Sequence, residues 1–197
     1  MKLYIIRHAD PDYENDTITP SGVMEAQALA RRTAGLGLTH LYTSPFQRTR
    51  QTARHIANAC GLEPVTLEWT HELNELIRET EYGTLASWDV PPEYYLSPER
   101  IGNRRSSHIA DDMPARDESL AALERIGAES DSFFEGFGYR REGARYAVES
   151  HSEAQIAAVC HLGFGIVWLS HLLRIPLDTV WSGVWFPPAS ITSVLFE

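Results

Sequence analysis

The amino-acid sequence predicts an α/β fold, a three-layer α/β/α sandwich with a mostly parallel central sheet and an inserted cap region. Short apolar runs alternate with amphipathic stretches up to residue 69 and again from residue 155, an order typical of a parallel sheet with helices on both faces. Two of the apolar runs stop at a histidine, His8 and His161. Because parallel strands end at the same edge of a sheet, we expect the two imidazoles to meet there.

Strands are predicted from short apolar runs, and helices from their start and stop signals. The expected strands cover residues 2–7, 40–43, 64–69, 156–160 and 191–196. Thr19 is a typical N-cap before a proline, and Ser44-Pro45 opens a second helix in a similar way. The expected helices run from residue 20 to Gly35 or Gly37, from 44 to 59, from 117 to 134 and from 164 to 173.

The middle of the chain breaks this alternation. It contains Pro91-Pro92, Arg104-Arg105 and Asp111-Asp112, and one clear helix. We therefore expect one domain over residues 1–197 that carries a cap insertion at about 84–150, covering the edge of the sheet.

Composition and charge exclude several classes of function. The formal net charge is −10, so nucleic acid is a poor partner. A small anionic substrate is compatible with this charge if cationic groups are focused in one pocket. No apolar run reaches about 18 residues, so no membrane span is expected. The first apolar run meets Arg7 too soon for a secretory signal, and a cytoplasmic protein is the expectation. The oligomeric state stays open.

Several residues have the chemistry of an anion site. Arg7 and His8 end the first strand, and Arg48 falls in the first turn of the second helix, where the backbone already favours an anion. A solvent-exposed helix arginine is the alternative interpretation of Arg48. Asp10 and Asp12 are better explained by turn chemistry than as metal ligands, so no metal or other cofactor is expected.

A set of motifs then recurs in a known order. They are Arg7-His8-Ala9, residues 19–22, Ser44-Pro45 with Arg48 and Gln51-Thr52-Ala53, Glu79 before Tyr82-Gly83, and Val159-Cys160-His161. Together they resemble the histidine phosphatase superfamily, also called the phosphoglycerate mutase-like family. The resemblance covers about residues 1–86 and 155–197.

The resemblance implies a role for each matched residue. His8 would be the nucleophile that takes the phosphoryl group, and Arg7 and Arg48 would hold the phosphate oxygens. His161, useful in its protonated form, would stabilise the group in transfer. Leu162 stands where the family usually has glycine, and a leucine would be strained there if the backbone required a positive φ.

The general acid has two candidates. The resemblance implies that Glu79 protonates the leaving oxygen and then activates water. Glu75 is the rival. Glu79 is preferred because its four-residue step to Gly83 matches the family spacing.

The expected function is that of a histidine acid phosphatase-like phosphoric monoester hydrolase. It would hydrolyse a small phosphorylated metabolite without a metal, through a phosphohistidine intermediate. The alternatives are a phosphoglycerate mutase-type phosphotransferase and a non-catalytic module that binds a phospho-ligand. Arg104, Arg105 and His108 of the insertion are further candidates for substrate contact.

Overall fold

The structure, a computed structural model, describes residues 1–98 and 113–197. In chain order its strands are β1 (Lys2–Arg7), β2 (Pro11–Asp12), β3 (Thr17–Ile18), β4 (His40–Thr43), β5 (Val65–Thr66), β6 (Ile77–Thr80), β7 (Gly83–Ala86), β8 (Tyr139–Glu142), β9 (Arg145–Val148), β10 (Gln155–Cys160) and β11 (Ile191–Leu195). Its α-helices are α1 (Pro20–Thr33), α2 (Gln47–Cys60), α3 (Pro92–Tyr95), α4 (Arg116–Glu135), α5 (Leu162–Leu173) and α6 (Leu177–Gly183).

The central sheet has five strands in the order β11-β1-β10-β4-β5. The pairs β1–β10, β10–β4 and β4–β5 are parallel, and β11 joins the edge of the sheet antiparallel to β1. The sheet is therefore mostly parallel, and the predicted α/β fold class is confirmed.

Both faces of the sheet are buried, because alternate residues of a strand point to opposite sides. Leu3 and Ile5 of β1 lie in the larger core with α4, α5 and α6, whereas Tyr4 and Ile6 pack with α1 and α2. The layers that the sequence predicted are thus present on the two sides of the sheet.

The start of α1 and the end of α2 lie where the sequence indicates, whereas α2 begins at Gln47, three residues after the predicted start at Ser44. Thr19 caps α1, since its hydroxyl accepts a hydrogen bond from the Gly22 amide. Gly61 ends α2 in the left-handed conformation, with φ of 67°.

The predicted third strand is shorter than expected. β5 covers only Val65–Thr66, and Glu68–Thr70 forms a 3₁₀ turn. The reason is that β4 ends at Thr43, which pairs with Thr66, so the ladder has no partner beyond this point.

The segment predicted as a cap insertion contacts two different parts of the molecule. Its early part places Trp88 against α5 beside the sheet edge. Its later part contains the hairpin β8–β9, which packs against the chain ends: the Met1 amino group donates to the Tyr139 hydroxyl, and the Tyr146 ring contacts Phe196. The sequence did not predict the hairpins β6–β7 and β8–β9 or α6. Arg104, Arg105, His108, Asp111 and Asp112 lie outside the described residues.

Within residues 1–98 and 113–197, none of the helices combines the length and the apolar character needed to cross a lipid bilayer.

Candidate active site

The carboxyl ends of three neighbouring strands bring the site together. His8 follows β1, His161 follows β10 and Ser44 follows β4. The registers of the two strand pairs, Arg7 opposite Cys160 and Val159 opposite Thr43, place these residues side by side. The ring centroids of His8 and His161 are 5.3 Å apart, so the structure brings the two imidazoles to one edge of the sheet.

The His8 ring is oriented by its own backbone. Its Nδ1 lies 2.8 Å from the carbonyl oxygen of Ala9, an acceptor, so Nδ1 carries the proton and Nε2 keeps a lone pair. The side chain is 1% exposed. Burial, together with the charges of Arg48 and Arg7, lowers the His8 pKa to about 4 despite the hydrogen bond to Ala9. The ring is therefore neutral at pH 7, and its unprotonated Nε2 has the lone pair that a nucleophilic role would require.

The main chain of His8 is fixed on both sides. Its amide donates to the carbonyl of Cys160, and its carbonyl accepts from the amide of Ala189. The backbone of His8 is thus held by β10 and by the loop before β11.

Arg48 connects the two histidines. Its Nε donates to Nε2 of His8 at 3.4 Å, and a terminal nitrogen donates to Nδ1 of His161 at 3.0 Å. Its other terminal nitrogen forms an ion pair with Asp16. The Asp16 carboxylate also accepts from the Gln47 amide at 2.7 Å and so caps α2, which Phe46 at the N-cap position does not do.

His161 is neutral in this arrangement. Because Nδ1 accepts from Arg48, the single proton of the neutral ring sits on Nε2, which donates to Ser44 Oγ at 2.8 Å. Complete burial and the charge of Arg48 lower the His161 pKa well below its usual value. The expectation of a protonated second histidine does not hold here.

Arg7 has an unsatisfied donor beside the site. One terminal nitrogen donates to the carbonyl of Phe186 at 2.6 Å. Its Nε is buried and has no hydrogen-bond partner within the described residues. A buried donor without a partner costs free energy, which an anionic acceptor would recover.

The two carboxylates that the sequence proposed as general acid are not part of this cluster. Glu79 lies on β6 with an exposed side chain, and it makes no side-chain hydrogen bond or ion pair with the described residues. Glu75 forms an ion pair with Arg125 at 3.3 Å. The structure therefore does not bring Glu79 to His8, because the hairpin β6–β7 turns its side chain toward solvent.

A different carboxylate stands beside the second histidine. Glu72 is half-buried, and its oxygens accept from the amides of Gly163 and Phe164 in the first turn of α5. Burial raises the Glu72 pKa, although these hydrogen bonds and the charge of Arg48 oppose the shift. The residue is thus an acid near the site whose proton is held more tightly than usual.

The backbone after His161 accommodates leucine without strain. Leu162 is the first residue of α5, and it is not among the described residues with positive φ. The next residue, Gly163, does require the absence of a side chain, because a Cβ there would lie 2.3 Å from the Trp88 ring.

Gly163→Ala is therefore expected to destabilise the protein by about 1–3 kcal/mol, because the new methyl group displaces Trp88. The measurement is the free energy of unfolding in urea. Gly183→Ala is the matched control, since a Cβ there meets no atom within 4 Å and alanine suits a helix better than glycine. Equal stability of the two variants would contradict the expectation. In a protein that already carries Trp88→Ala, the Gly163→Ala substitution should cost much less free energy of unfolding, because the ring that it displaces is absent.

The acidic residues of the first loop are used in local structure. Asp10 accepts from the Thr19 hydroxyl, and Asp12 accepts from the Asn15 side chain. Among residues 1–98 and 113–197, no three histidine, cysteine, aspartate or glutamate side chains are grouped as a metal site would require.

The site contains residues that sequence reasoning did not identify: Glu72, Asp16 and, as a partner of His161, Ser44. A usable signal existed for Glu72, because it is an acidic residue just beyond a predicted strand of the parallel sheet. Asp16 gave no such signal, since its role depends on the fold of the β2–β3 turn.

A comparison with known protein families shows the family to which the chain belongs. A sequence profile of the histidine phosphatase superfamily (branch 1) matches residues 3–197. The chain belongs to the histidine phosphatase superfamily. The resemblance inferred from its motifs is thereby confirmed.

Curated relatives of this member of the superfamily match only part of the chain. The probable phosphoglycerate mutase GpmB of Yersinia enterocolitica is 34% identical over 89 residues, which are 41% of each chain. The protein of the same name from Enterobacter sp. is 30% identical over 115 residues, 54% of this chain and 49% of the relative. The matches thus span less than half the length of these relatives.

Solved structures match over nearly the whole chain. Phosphoserine phosphatase from Entamoeba histolytica, solved with 3-phosphoglyceric acid, has a TM-score of 0.66 at 18% identity, covering 99% of this chain and 90% of its own. Phosphoglycerate mutase from Bacillus anthracis has a TM-score of 0.63 at 17% identity, covering 100% and 88%. At such identities the likeness shows the fold, which phosphatases and mutases share.

Proposed function

We propose that this histidine phosphatase is a metal-independent phosphomonoesterase that hydrolyses a small phosphorylated metabolite through a phosphohistidine at His8. The observation that carries the proposal is the state of His8: a buried, neutral imidazole that presents a lone pair on Nε2 next to two arginines. A neutral imidazole attacks phosphorus without a base to activate it, and the arginines stabilise the charge on the phosphoryl oxygens.

In the first step, Nε2 of His8 forms a bond to phosphorus while the bond from phosphorus to the ester oxygen breaks. The leaving oxygen takes the electron pair of that bond and a proton from Glu72. The products are phosphohistidine, the free alcohol and the Glu72 carboxylate. Arg48 and the unsatisfied Nε of Arg7 would bind the phosphoryl oxygens.

Glu72 is assigned as the acid because of its hydrogen bonds. Oε1 accepts from the amides of Leu73 at 3.1 Å and Phe164 at 2.9 Å, whereas Oε2 accepts only from Gly163, at 3.3 Å. Oε2 is thus the oxygen better able to carry a proton and to give it away.

In the second step, water attacks the phosphoryl group and gives its proton to the Glu72 carboxylate. The N–P bond breaks, the electron pair returns to Nε2 of His8, and inorganic phosphate leaves. His8 and Glu72 are then in their starting states, so the cycle is balanced.

His161 would act together with Arg48. The two are hydrogen-bonded through Nδ1 of His161, a neutral acceptor, and a phosphoryl dianion is a stronger acceptor for the same guanidinium. Binding of substrate would therefore draw Arg48 toward phosphate and leave Nδ1 of His161 available for a proton.

We also propose that the segment at about 84–150 is a cap on this site. Two contacts of its first part support this role. Trp88 packs on Gly163. Burial raises the Asp89 pKa, and Asp89 lies close enough to Arg7 for the guanidinium charge to oppose this rise.

The test is hydrolysis of p-nitrophenyl phosphate in EDTA, with a rapid quench to capture the intermediate. We expect full activity with the chelator and a phosphoryl group bound to His8, stable to base and labile to acid. Activity that requires an added metal, or label on another residue, would overturn the mechanism. Incubation with 3-phosphoglycerate tests the mutase alternative, since a mutase returns an isomeric phosphoglycerate whereas a phosphatase releases phosphate.

A further inference from the structure

We propose that the leaving group of the natural substrate carries a flat aromatic ring, which stacks on Tyr13 and Trp185 at the rim of the pocket. This inference rests on the proposed function, because it names the substrate class of the same site.

Each of the two pocket arginines has one of these rings beside it. The Arg48 guanidinium carbon lies 5.5 Å from the centroid of the Tyr13 ring, and that of Arg7 lies 5.7 Å from the Trp185 ring. The Tyr13 ring is also 6.4 Å from the ring of His8. The charges of both arginines act on His8, so each of the two aromatic side chains lies beside an arginine that surrounds the same histidine.

Both rings remain largely in water. Tyr13 is 65% exposed and Trp185 is 61% exposed, whereas His8 between the arginines is buried. Covering such large apolar surfaces is favourable. A substrate held by its phosphate at His8 would place its leaving group at this rim, where these surfaces are available.

The loop that carries Trp185 is fixed by its neighbours rather than by Trp185 itself. The carbonyl of Phe186 accepts from Arg7, and the Phe186 ring is buried against Gly165. Three residues later, the Ala189 amide donates to His8. The backbone at Trp185 is therefore fixed in a loop that is itself bound to Arg7 and His8.

The turn that carries Tyr13 is anchored in a comparable way. Asp12 pairs with Thr17 across the β2–β3 ladder, and the Asn15 side chain donates to Asp12 at 2.8 Å. Asp16 then binds Arg48 and the start of α2. A loop whose backbone is fixed before binding loses less conformational entropy when a ligand stacks on its side chain.

The competing interpretation is that the two rings interact only with the arginine side chains, as cation–π pairs, and do not contact the substrate. In that case they would affect every phosphate ester equally. Stacking, in contrast, favours only esters with a flat ring, by about 2- to 10-fold for each protein ring.

The experiment compares benzyl phosphate with cyclohexylmethyl phosphate. Both are esters of primary alcohols of similar size, and only the first has a flat ring. We expect the wild-type protein to have a higher kcat/KM for benzyl phosphate. Tyr13→Ala and Trp185→Ala should each reduce this preference about 2- to 10-fold, and Trp185→Phe should restore most of it.

Tyr82→Ala is the control, because Tyr82 is a similarly exposed aromatic residue, 57% accessible, just before β7; it should leave the preference unchanged. Equal losses on both esters in the rim variants, or no preference in the wild-type protein, would overturn the inference. Binding of benzylphosphonate and cyclohexylmethylphosphonate, measured by calorimetry, tests the preference for an aromatic ring separately from the proposed hydrolysis. Absence of hydrolysis with preferential binding of the benzyl compound would contradict only the proposed function.

Discussion

Replacement of His8 by alanine is expected to reduce the hydrolysis of p-nitrophenyl phosphate by at least about 1,000-fold, because the covalent route is lost with its nucleophile. The measurement is kcat under saturating substrate, with the trapped phosphoenzyme as a second readout. Added imidazole should restore part of the activity of this variant, since a free ring can enter the space that the side chain leaves.

The control for this experiment is His151→Ala, because the His151 side chain is 73% exposed and, among the described residues, its hydrogen-bond and ion-pair partner is Glu153. It should retain wild-type activity. A His8→Ala protein that keeps its fold by circular dichroism and more than a few per cent of the rate would remove His8 from the role of nucleophile.

Glu72→Gln is expected to slow the hydrolysis of alkyl phosphates by about 100- to 10,000-fold, the usual contribution of a general acid. p-Nitrophenyl phosphate should be affected far less, because p-nitrophenolate leaves without a proton. Only the protonated acid can donate, so the wild-type rate on alkyl esters should fall as the pH rises through the raised pKa of Glu72. This decline should disappear in the variant.

Glu79→Gln and Glu75→Gln are the matched controls, since they make the same chemical change at the two positions that the sequence favoured. Both should behave like the wild-type protein, because Glu79 is exposed and Glu75 is paired with Arg125. A leaving-group dependence in Glu79→Gln instead of Glu72→Gln would restore the original assignment.

The fold and the meeting of the histidines were predictable because they depend on local patterns. Apolar runs at 2–7 and 156–160 specify two parallel strands. In parallel pairing, the residues that follow both strands then share one edge. No knowledge of loops is needed for this step, and His8 and His161 follow from it.

The carboxylate beside the second histidine is harder to identify, because Glu72 lies in an irregular connection beyond β5 and not directly at the end of a strand. The sequence indicated a strand up to residue 69, but the chain leaves the sheet after Thr66 and turns through Glu68–Thr70. This turn sets which of the following glutamates reaches the start of α5, and that residue is Glu72. Spacing to a later glycine therefore could not identify it.

The partners of Arg48 were unpredictable for a related reason. The position of Arg48 in the first turn of α2 was visible in the sequence, and the structure buries it there with only 7% exposure. Its contact with Asp16, however, spans 32 residues of the chain. Such a pairing depends on the tertiary structure and leaves no periodic trace.

The main chain of His8 is tied to β10 on one side and to the loop before β11 on the other. In the proposed mechanism, the His8 side chain would therefore gain and lose the phosphoryl group while the His8 backbone stays in place. Substrate binding and product release, and not a backbone movement at His8, would then be the slow steps of the catalytic cycle. Substitutions in the surrounding loops could change the substrate that is bound without displacing His8.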